Sequence, residues 1–105
     1  RYWRDWSSDV CSSDLPELAE KSVPTLRRIV GDKNVVLVKP SMGGEDFSEF
    51  QKIIPGFFYW LGVGNPDKGF TGALHTPEYD ADEDSLPVGV RAMTATLLDY
   101  LTRKP

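Results

Sequence analysis

Residues 57–63 of this chain read Phe57-Phe58-Tyr59-Trp60-Leu61-Gly62-Val63. Aromatic and branched side chains at this density suit a pleated, buried surface, so the segment is predicted to be a β-strand in the core. A second short apolar run, Val35–Val38, lies between Gly31-Asp32 and Pro40. Because this run is continuously apolar rather than alternating, it is predicted to be a strand that is buried on both faces.

The segment before Val35 has apolar residues at approximately helical spacing, with acidic residues early and basic residues late, an order that suits the helix dipole. Pro24 conflicts with one continuous helix, because an interior proline removes a hydrogen bond and bends the axis. The segment is therefore predicted to form either two short helices or one helix that starts at Val23. In both cases Gly31 is expected to end the helix as its C-cap.

A second helix is predicted between the two strands. It begins at Asp46 or Phe47 and ends near Ile54, where Pro55-Gly56 stops it. The side chains expected on one apolar face of this helix are Phe47, Phe50, Ile53 and Ile54.

The chain after Val63 is rich in glycine and proline and is predicted to be a long loop, whose length favours a functional role. A last helix then begins with Asp84 or Ser85 as N-cap and Pro87 in its first turn. Its apolar residues recur every three or four positions and form one stripe, which is expected to pack against the rest of the fold. The stripe consists of Leu86, Val90, Met93, Leu97 and Leu101.

The order of these elements is helix, strand, helix, strand, long loop and helix, which is typical of the α/β class. Two strands are too few for an independent sheet, since three or more are normally required. The chain is therefore predicted to be part of a larger domain whose other strands lie upstream.

Residues 1–15 are neither strand-like nor helical by pattern. The part from Asp5 to Leu15 repeats Ser-Ser-Asp and resembles a translated sequencing-library adapter. We interpret residues 1–15 as a cloning or assembly artefact and exclude them from the fold prediction. The native sequence is then expected to start near Pro16.

Composition argues against several classes of protein. The formal net charge of −4 gives no basic footprint for nucleic acid. The only cysteine is Cys11, so residues 16–105 can build neither a disulfide nor a thiolate metal site. No apolar run approaches the roughly 20 residues that cross a bilayer, and no membrane partner is expected. An export signal would lie upstream of Pro16, so the compartment stays open, with the cytoplasm as the default expectation.

His75 is the only histidine, and it lies in the long loop after the aromatic strand, where α/β folds gather ligand sites. Imidazole binds zinc or manganese together with carboxylates, but a catalytic site needs at least three protein ligands. One histidine is therefore an incomplete metal site. The acidic residues that follow either orient the imidazole or solvate a surface loop. They are Glu78, Asp80, Asp82, Glu83 and Asp84.

Gly43-Gly44-Glu45-Asp46 precedes the second helix. In the simpler interpretation these residues form a tight turn in which Asp46 caps the helix. In the functional interpretation the glycines let the backbone approach a substrate.

Several ordered motifs together resemble one family. They are Met42-Gly43-Gly44-Glu45-Asp46-Phe47-Ser48, Pro55-Gly56, Leu61-Gly62-Val63-Gly64-Asn65-Pro66, Leu74-His75-Thr76-Pro77, and Asp82-Glu83 with Leu86 and Gly89. Their order and spacing resemble the C-terminal segment of the dinuclear-metal aminoacylase and carboxypeptidase family, in the branch of hippurate hydrolase and the indole-acetyl-amino-acid hydrolases. The resemblance covers nearly all of residues 16–105. Gly44 departs from the family pattern, which has a serine at this place.

The resemblance implies hydrolysis of the amide bond in N-acyl amino acids, such as hippurate, by two divalent ions, Mn²⁺ or Zn²⁺, that share a bridging water. It implies that His75 is a metal ligand, with carboxylate neighbours that orient its ring. The residues implied to bind or position the substrate are Gly43, Gly44, Glu45 and Asp46. The catalytic glutamate and the other ligands of the family lie upstream, so no catalytic residue is expected in this chain. The full-length enzyme is expected to be a homo-oligomer.

The fold that the resemblance implies is the C-terminal part of a mixed-sheet α/β catalytic domain covered by helices, of the phosphorylase/hydrolase-like type and incomplete here. The polypeptide alone is expected to be inactive and, with its aromatic strand exposed, to aggregate or stay partly unfolded. A competing hypothesis is a small, non-enzymatic α/β binding module whose acidic loop contacts a partner. Within the enzyme class, a dipeptidase and a peptidoglycan-precursor amidase also stay open.

Overall fold

The structure is a computed structural model of the chain, and it describes residues 2–4, 16–37 and 46–103. The strands are β1 (Tyr2–Arg4), β2 (Val35–Leu37) and β3 (Trp60–Leu61), and the helices are α1 (Pro16–Val30), α2 (Phe47–Gln51) and α3 (Ser85–Thr102). Two short 3-10 turns, Asp32–Asn34 and Pro66–Lys68, lie between them. The predictions for Val38, Gly43, Gly44 and Glu45 fall outside the described residues.

The three short strands pair in the order β2-β1-β3. β1 is parallel to β2, with Trp3 opposite Val36, and antiparallel to β3, with Trp3 opposite Trp60. The expectation that residues 1–15 contain no strand is therefore wrong for Tyr2–Arg4, which pairs with both β2 and β3. The origin of residues 1–15 stays a prediction. The combination of helices and short strands is confirmed, and the larger mixed sheet stays a prediction.

Both predicted strands are less buried than expected, and the second is also shorter. Val35 and Val36 of β2 are only half-buried, so the prediction of burial on both faces is wrong for them. The predicted strand 57–63 is reduced to Trp60–Leu61, because β1 offers only a short edge for pairing. Neighbouring aromatic rings still contact one another, with centroids of Phe58 and Trp60 5.3 Å apart.

α1 is one continuous helix, so the prediction that Pro24 divides or delays it is wrong. Pro24 lies on the exposed side, while Ala19 and Leu26 on the packed side are 3% and 2% exposed. An interior proline costs about 3 kcal/mol, and here the packing of the opposite face holds the helix together. The helix ends at Gly31 as predicted, where φ is 87° and the N–H donates to the Arg27 carbonyl at 2.9 Å.

α2 is also shorter than predicted, because it ends at Gln51 rather than near Ile54. Ile53 and Ile54 lie beyond the helix, so the predicted apolar face does not form as described; together with Phe50 they are 60–85% exposed. Phe47 does face the aromatic segment, with its ring centroid 5.4 Å from that of Phe58.

α3 starts at Ser85 as predicted, but it packs through its small residues. Ala92 is fully buried, and Gly89 lies so close to β3 that a Cβ there would come 2.7 Å from Leu61 Cδ2. Small side chains occupy this face because they allow the helix to approach its neighbours closely.

The predicted apolar stripe of α3 lies about 140° around the helix axis from Ala92, given 3.6 residues per turn. Its members, Leu86, Val90, Met93, Leu97 and Leu101, are 55–67% exposed. The prediction that this stripe packs against the rest of the fold is therefore wrong within the described part of the chain. None of the helices in that part is both long and apolar enough to cross a bilayer.

A polar contact joins α1 to α3 and leads to a stability prediction. The Thr25 hydroxyl and the Arg28 guanidinium donate to the Asp99 carboxylate at 2.5 and 2.8 Å. Both hydrogen bonds lower the pKa of Asp99, and the bond from Thr25 has the larger effect. A lowered folded-state pKa adds stability that is present above the unfolded-state pKa and is lost as the pH falls through the folded-state value.

The test uses a full-length host enzyme of the family that the motifs resemble, with residues 16–103 of this chain in place of its own segment. We expect Asp99→Asn to lower the urea midpoint of this host at pH 7, and the difference from the unsubstituted host to shrink below about pH 4. Glu17→Gln is the control, because its partner Lys21 lies 3.6 Å away in an exposed pair that should contribute little. An equal shift at pH 7 and pH 3 would contradict a role of the carboxylate charge.

Candidate functional site

His75 lies in a tight turn, residues 72–79, within the long loop between β3 and α3. The N–H and the hydroxyl of Thr76 both donate to the Ala73 carbonyl, at 3.2 and 2.8 Å. The ends of the turn touch, since a Cβ built on Gly72 would lie 2.1 Å from the carbonyl oxygen of Glu78. Only glycine permits this approach of two backbone segments.

The backbone of His75 is left-handed, with φ of 66°, and it is the one non-glycine residue with positive φ among those described. This conformation is uncommon outside glycine, although histidine adopts it more readily than most residues. Such strained positions persist where the surrounding structure holds them, and they cluster at functional sites. The side chain is exposed, so the closed turn presents the imidazole to the outside of the molecule.

Two of the carboxylates after His75 are bound by Lys68. Asp82 accepts hydrogen bonds from Asn65 Nδ2 at 2.6 Å and Lys68 Nζ at 3.0 Å, and Asp84 accepts from Lys68 Nζ at 2.5 Å. Hydrogen bonds from Asn65 and Lys68 lower the pKa of Asp82, and the bond from Asn65 has the larger effect. The bonds to Asp84 and then Asp82 raise the pKa of Lys68. Both carboxylates are therefore paired within the loop, and their role toward His75 stays a prediction.

A shallow pocket of about 280 Å³ lies beside this cluster. Its lining consists of Lys68, Phe70, Asp80, Ala81, Asp82, Glu83 and Asp84, and does not include His75. Four of the five acidic residues that the sequence grouped with His75 therefore line one pocket, and Glu78 is not among them.

Asp46 lies at the N-cap position of α2, as the sequence predicts, but its carboxylate makes no capping hydrogen bond. Its φ and ψ of −62° and −22° are helical, whereas a capping side chain needs an extended backbone at that residue. Its carbonyl oxygen accepts the N–H of Glu49 at 3.0 Å. Asp46 is exposed. The positioning role of Gly43, Gly44, Glu45 and Asp46 stays a prediction.

Sequence reasoning missed Asn65 and Lys68. One signal could have identified Lys68, because it is the only lysine or arginine between Gly64 and Asp84, a segment with many acidic residues. The Asn65–Asp82 contact joins residues 17 positions apart, and no local pattern marks it.

The donor chemistry of the loop fits a single metal ligand. Within residues 2–4, 16–37 and 46–103, no group of three or more His, Cys, Asp or Glu side chains could hold a metal ion. The exposed imidazole of His75 is a donor for zinc or manganese that would need further ligands from elsewhere. The described residues therefore offer one ligand, the imidazole of His75, to a metal site whose other ligands would come from elsewhere.

Comparison with known proteins shows which family this chain is similar to. A sequence model of peptidase family M20/M25/M40 matches residues 3–99. The chain is 40% identical over 76 residues to IAA-amino acid hydrolase ILR1-like 6 of Arabidopsis thaliana, covering 72% of this chain and 16% of the relative. It is 42% identical over 73 residues to N-acetyldiaminopimelate deacetylase of Lacticaseibacillus casei, covering 70% of this chain and 18% of the relative. It is 35% identical over 77 residues to Thermostable carboxypeptidase 2 of Saccharolobus solfataricus, covering 73% of this chain and 19% of the relative.

The chain therefore spans less than a fifth of the length of these three relatives. Their names describe hydrolases and peptidases, in agreement with the family that the motifs around Asp46 and His75 resemble. Because the family model covers most of the sequence, the match does not depend on any one motif. The chain belongs to peptidase family M20/M25/M40.

Proposed function

We propose that this chain is part of a metal-dependent amidohydrolase that cleaves the amide bond of N-acyl amino acids, with hippurate-like compounds as the substrate class. Its own contribution is one metal ligand, the imidazole of His75. The observation that carries this proposal is the closed turn 72–79, which holds His75 in a left-handed conformation and exposes its side chain.

The names of two relatives support the substrate class. One is named for hydrolysing IAA-amino acid and another for removing an acetyl group from N-acetyldiaminopimelate. The second name describes removal of an acetyl group and the first describes hydrolysis of IAA-amino acid, and both agree with the reaction proposed here.

Each group has a defined part in the proposed site. The two divalent ions, Mn²⁺ or Zn²⁺, supply Lewis-acid polarisation of the amide carbonyl and a water of lowered pKa when bound. His75 would supply a ring nitrogen, and the closed turn fixes the backbone from which the ring extends. The substrate is positioned by Gly43, Gly44, Glu45 and Asp46. The polypeptide alone is proposed to be inactive, because a single imidazole cannot complete the site.

A binding module with a free acidic loop is less well supported. Lys68 binds two of the carboxylates that such a loop would offer to a partner, those of Asp82 and Asp84. Family membership also favours hydrolysis over a purely structural role.

A graft tests the proposal. Residues 16–103 of this chain replace the corresponding segment of the Arabidopsis thaliana relative, and the metal content per chain and the hydrolysis of IAA-amino acid conjugates are measured. We expect the chimera to hold as much metal as the parent enzyme and to hydrolyse the conjugate. The control is the same chimera with residues 72–79 replaced by a glycine-serine linker of equal length, which should lose metal. A folded chimera that holds no more metal than this control would overturn the proposal.

A further inference from the structure

We infer that Asp82 is a positioning residue for His75, acting through a clasp formed by Asn65, Lys68 and Asp82 at the base of the loop. This inference rests on the proposed function of His75 as a metal ligand. Asp82 itself is not placed at the metal, and it acts by fixing the segment that carries the imidazole.

The backbone of Asp82 joins the two ends of the loop. Its N–H donates to the carbonyl of Val63, just after β3, at 2.9 Å. Its carbonyl oxygen accepts the N–H and the hydroxyl of Ser85, at the start of α3, at 2.9 and 2.6 Å. The exit from β3 and the entry to α3 are therefore held together at this one residue.

The side chain of Asp82 also binds the segment that follows β3, through Asn65 and Lys68. Oδ2 accepts from Asn65 and Oδ1 accepts from Lys68, so both carboxylate oxygens are used. Asn65 is itself fixed by a pair of backbone hydrogen bonds with Phe70, at 2.9 and 3.0 Å. The Asp82 side chain is 13% exposed, whereas that of Asp84, the other partner of Lys68, is 82% exposed. Asp82 is thus the sheltered member of the cluster.

The chain between these stems contains a second closure, the contact of Gly72 with the Glu78 backbone. The clasp fixes the base of the loop, and the inner contact fixes the turn that carries His75. Without the clasp, the inner turn would keep its shape but could move as a unit relative to β3 and α3. Loss of a group that orients a ligand typically weakens metal binding about 10–100-fold.

The test uses Asp82→Ala in the chimera described above. We expect its metal dissociation constant, measured by competition with a chelator, to rise about 10–100-fold. Hydrogen exchange of peptides covering residues 71–79 should become faster, and saturating metal should restore kcat. Asn65→Ala removes one donor and should change metal affinity in the same direction by a smaller factor. The matched control is Glu49→Ala, which breaks the exposed pair with Lys52 at 2.5 Å and should change neither readout.

Each result has a definite meaning. Unchanged exchange in residues 71–79, or unchanged metal affinity, in a folded Asp82→Ala chimera would overturn the inference. Loss of metal in His75→Asn together with full metal binding in Asp82→Ala would leave the proposed function standing and remove only the clasp. Full metal binding in His75→Asn would remove the proposed function itself, and the inference with it. If Asp82→Ala does not fold, Asn65→Ala decides the question by the same two measurements.

Discussion

His75→Asn lowers kcat/KM of the chimera at least about a hundredfold and reduces its metal content per chain. Metal polarisation of the substrate carbonyl contributes several kcal/mol to catalysis, and each 1.36 kcal/mol corresponds to a tenfold change in rate. Asparagine is chosen because it tolerates the left-handed backbone that His75 adopts, with φ of 66°. The substitution therefore removes the imidazole without forcing the turn to rearrange.

His75→Gly completes this test, because glycine adopts positive φ without strain. We expect both variants to lose metal to a similar extent, as measured by elemental analysis of the purified chimera. A glycine variant that retained metal and activity would show that the backbone conformation at position 75, and not the ring, is what the enzyme requires.

Gly72→Ala opens the turn and weakens metal binding at least about tenfold, a factor taken from the loss of ligand-orienting groups. The added Cβ would lie 2.1 Å from the Glu78 carbonyl oxygen and 2.7 Å from the Tyr79 nitrogen. These are backbone atoms, so no side-chain rotation relieves the overlap. Overpacking of this kind typically costs about 1–3 kcal/mol, and here the turn can avoid it only by separating its ends.

Gly31→Ala is the matched control for this prediction. Gly31 also has a positive φ, of 87°, but it lies at the end of α1, and the nearest atom to a Cβ there would be Asn34 Nδ2 at 3.4 Å. It adds backbone strain of about 1–2 kcal/mol without an overlap. Metal affinity and thermal unfolding of the two chimeras are compared. Equal metal affinities would show that closure of the turn at Gly72 does not position His75.

The apolar periodicity of α3 illustrates how far a local pattern extends. The pattern correctly predicted a helix that begins near Asp84 or Ser85, because a regular spacing of apolar side chains depends on neighbouring residues. It did not predict which side of the helix would be buried. Ala92 and Gly89 take that place because close packing on α1 and Leu61 favours small residues, while Val90 and Leu97 stay exposed.

At Pro24 the local sequence preference and the structure disagree about the helix itself. The local effect of Pro24 on a helix is unfavourable, and the sequence alone predicted either two short helices or one helix that starts at Val23. In the structure the helix continues through it, because the opposite face of α1 is buried and Thr25 contacts Asp99 on α3. Tertiary contacts thus override a local preference at this position.

The sequence alone was sufficient for the family, the loop after Val63, the end of α1 at Gly31 and the choice of His75 as the candidate ligand. Each of these depends on residue type and on spacing along the chain. The closure of the turn at Gly72, the left-handed backbone of His75 and the clasp on Asp82 required the tertiary structure. The clasp and the packing faces of the helices depend on contacts between residues that are distant in sequence, and the turn depends on exact backbone geometry, neither of which periodicity or local propensity encodes.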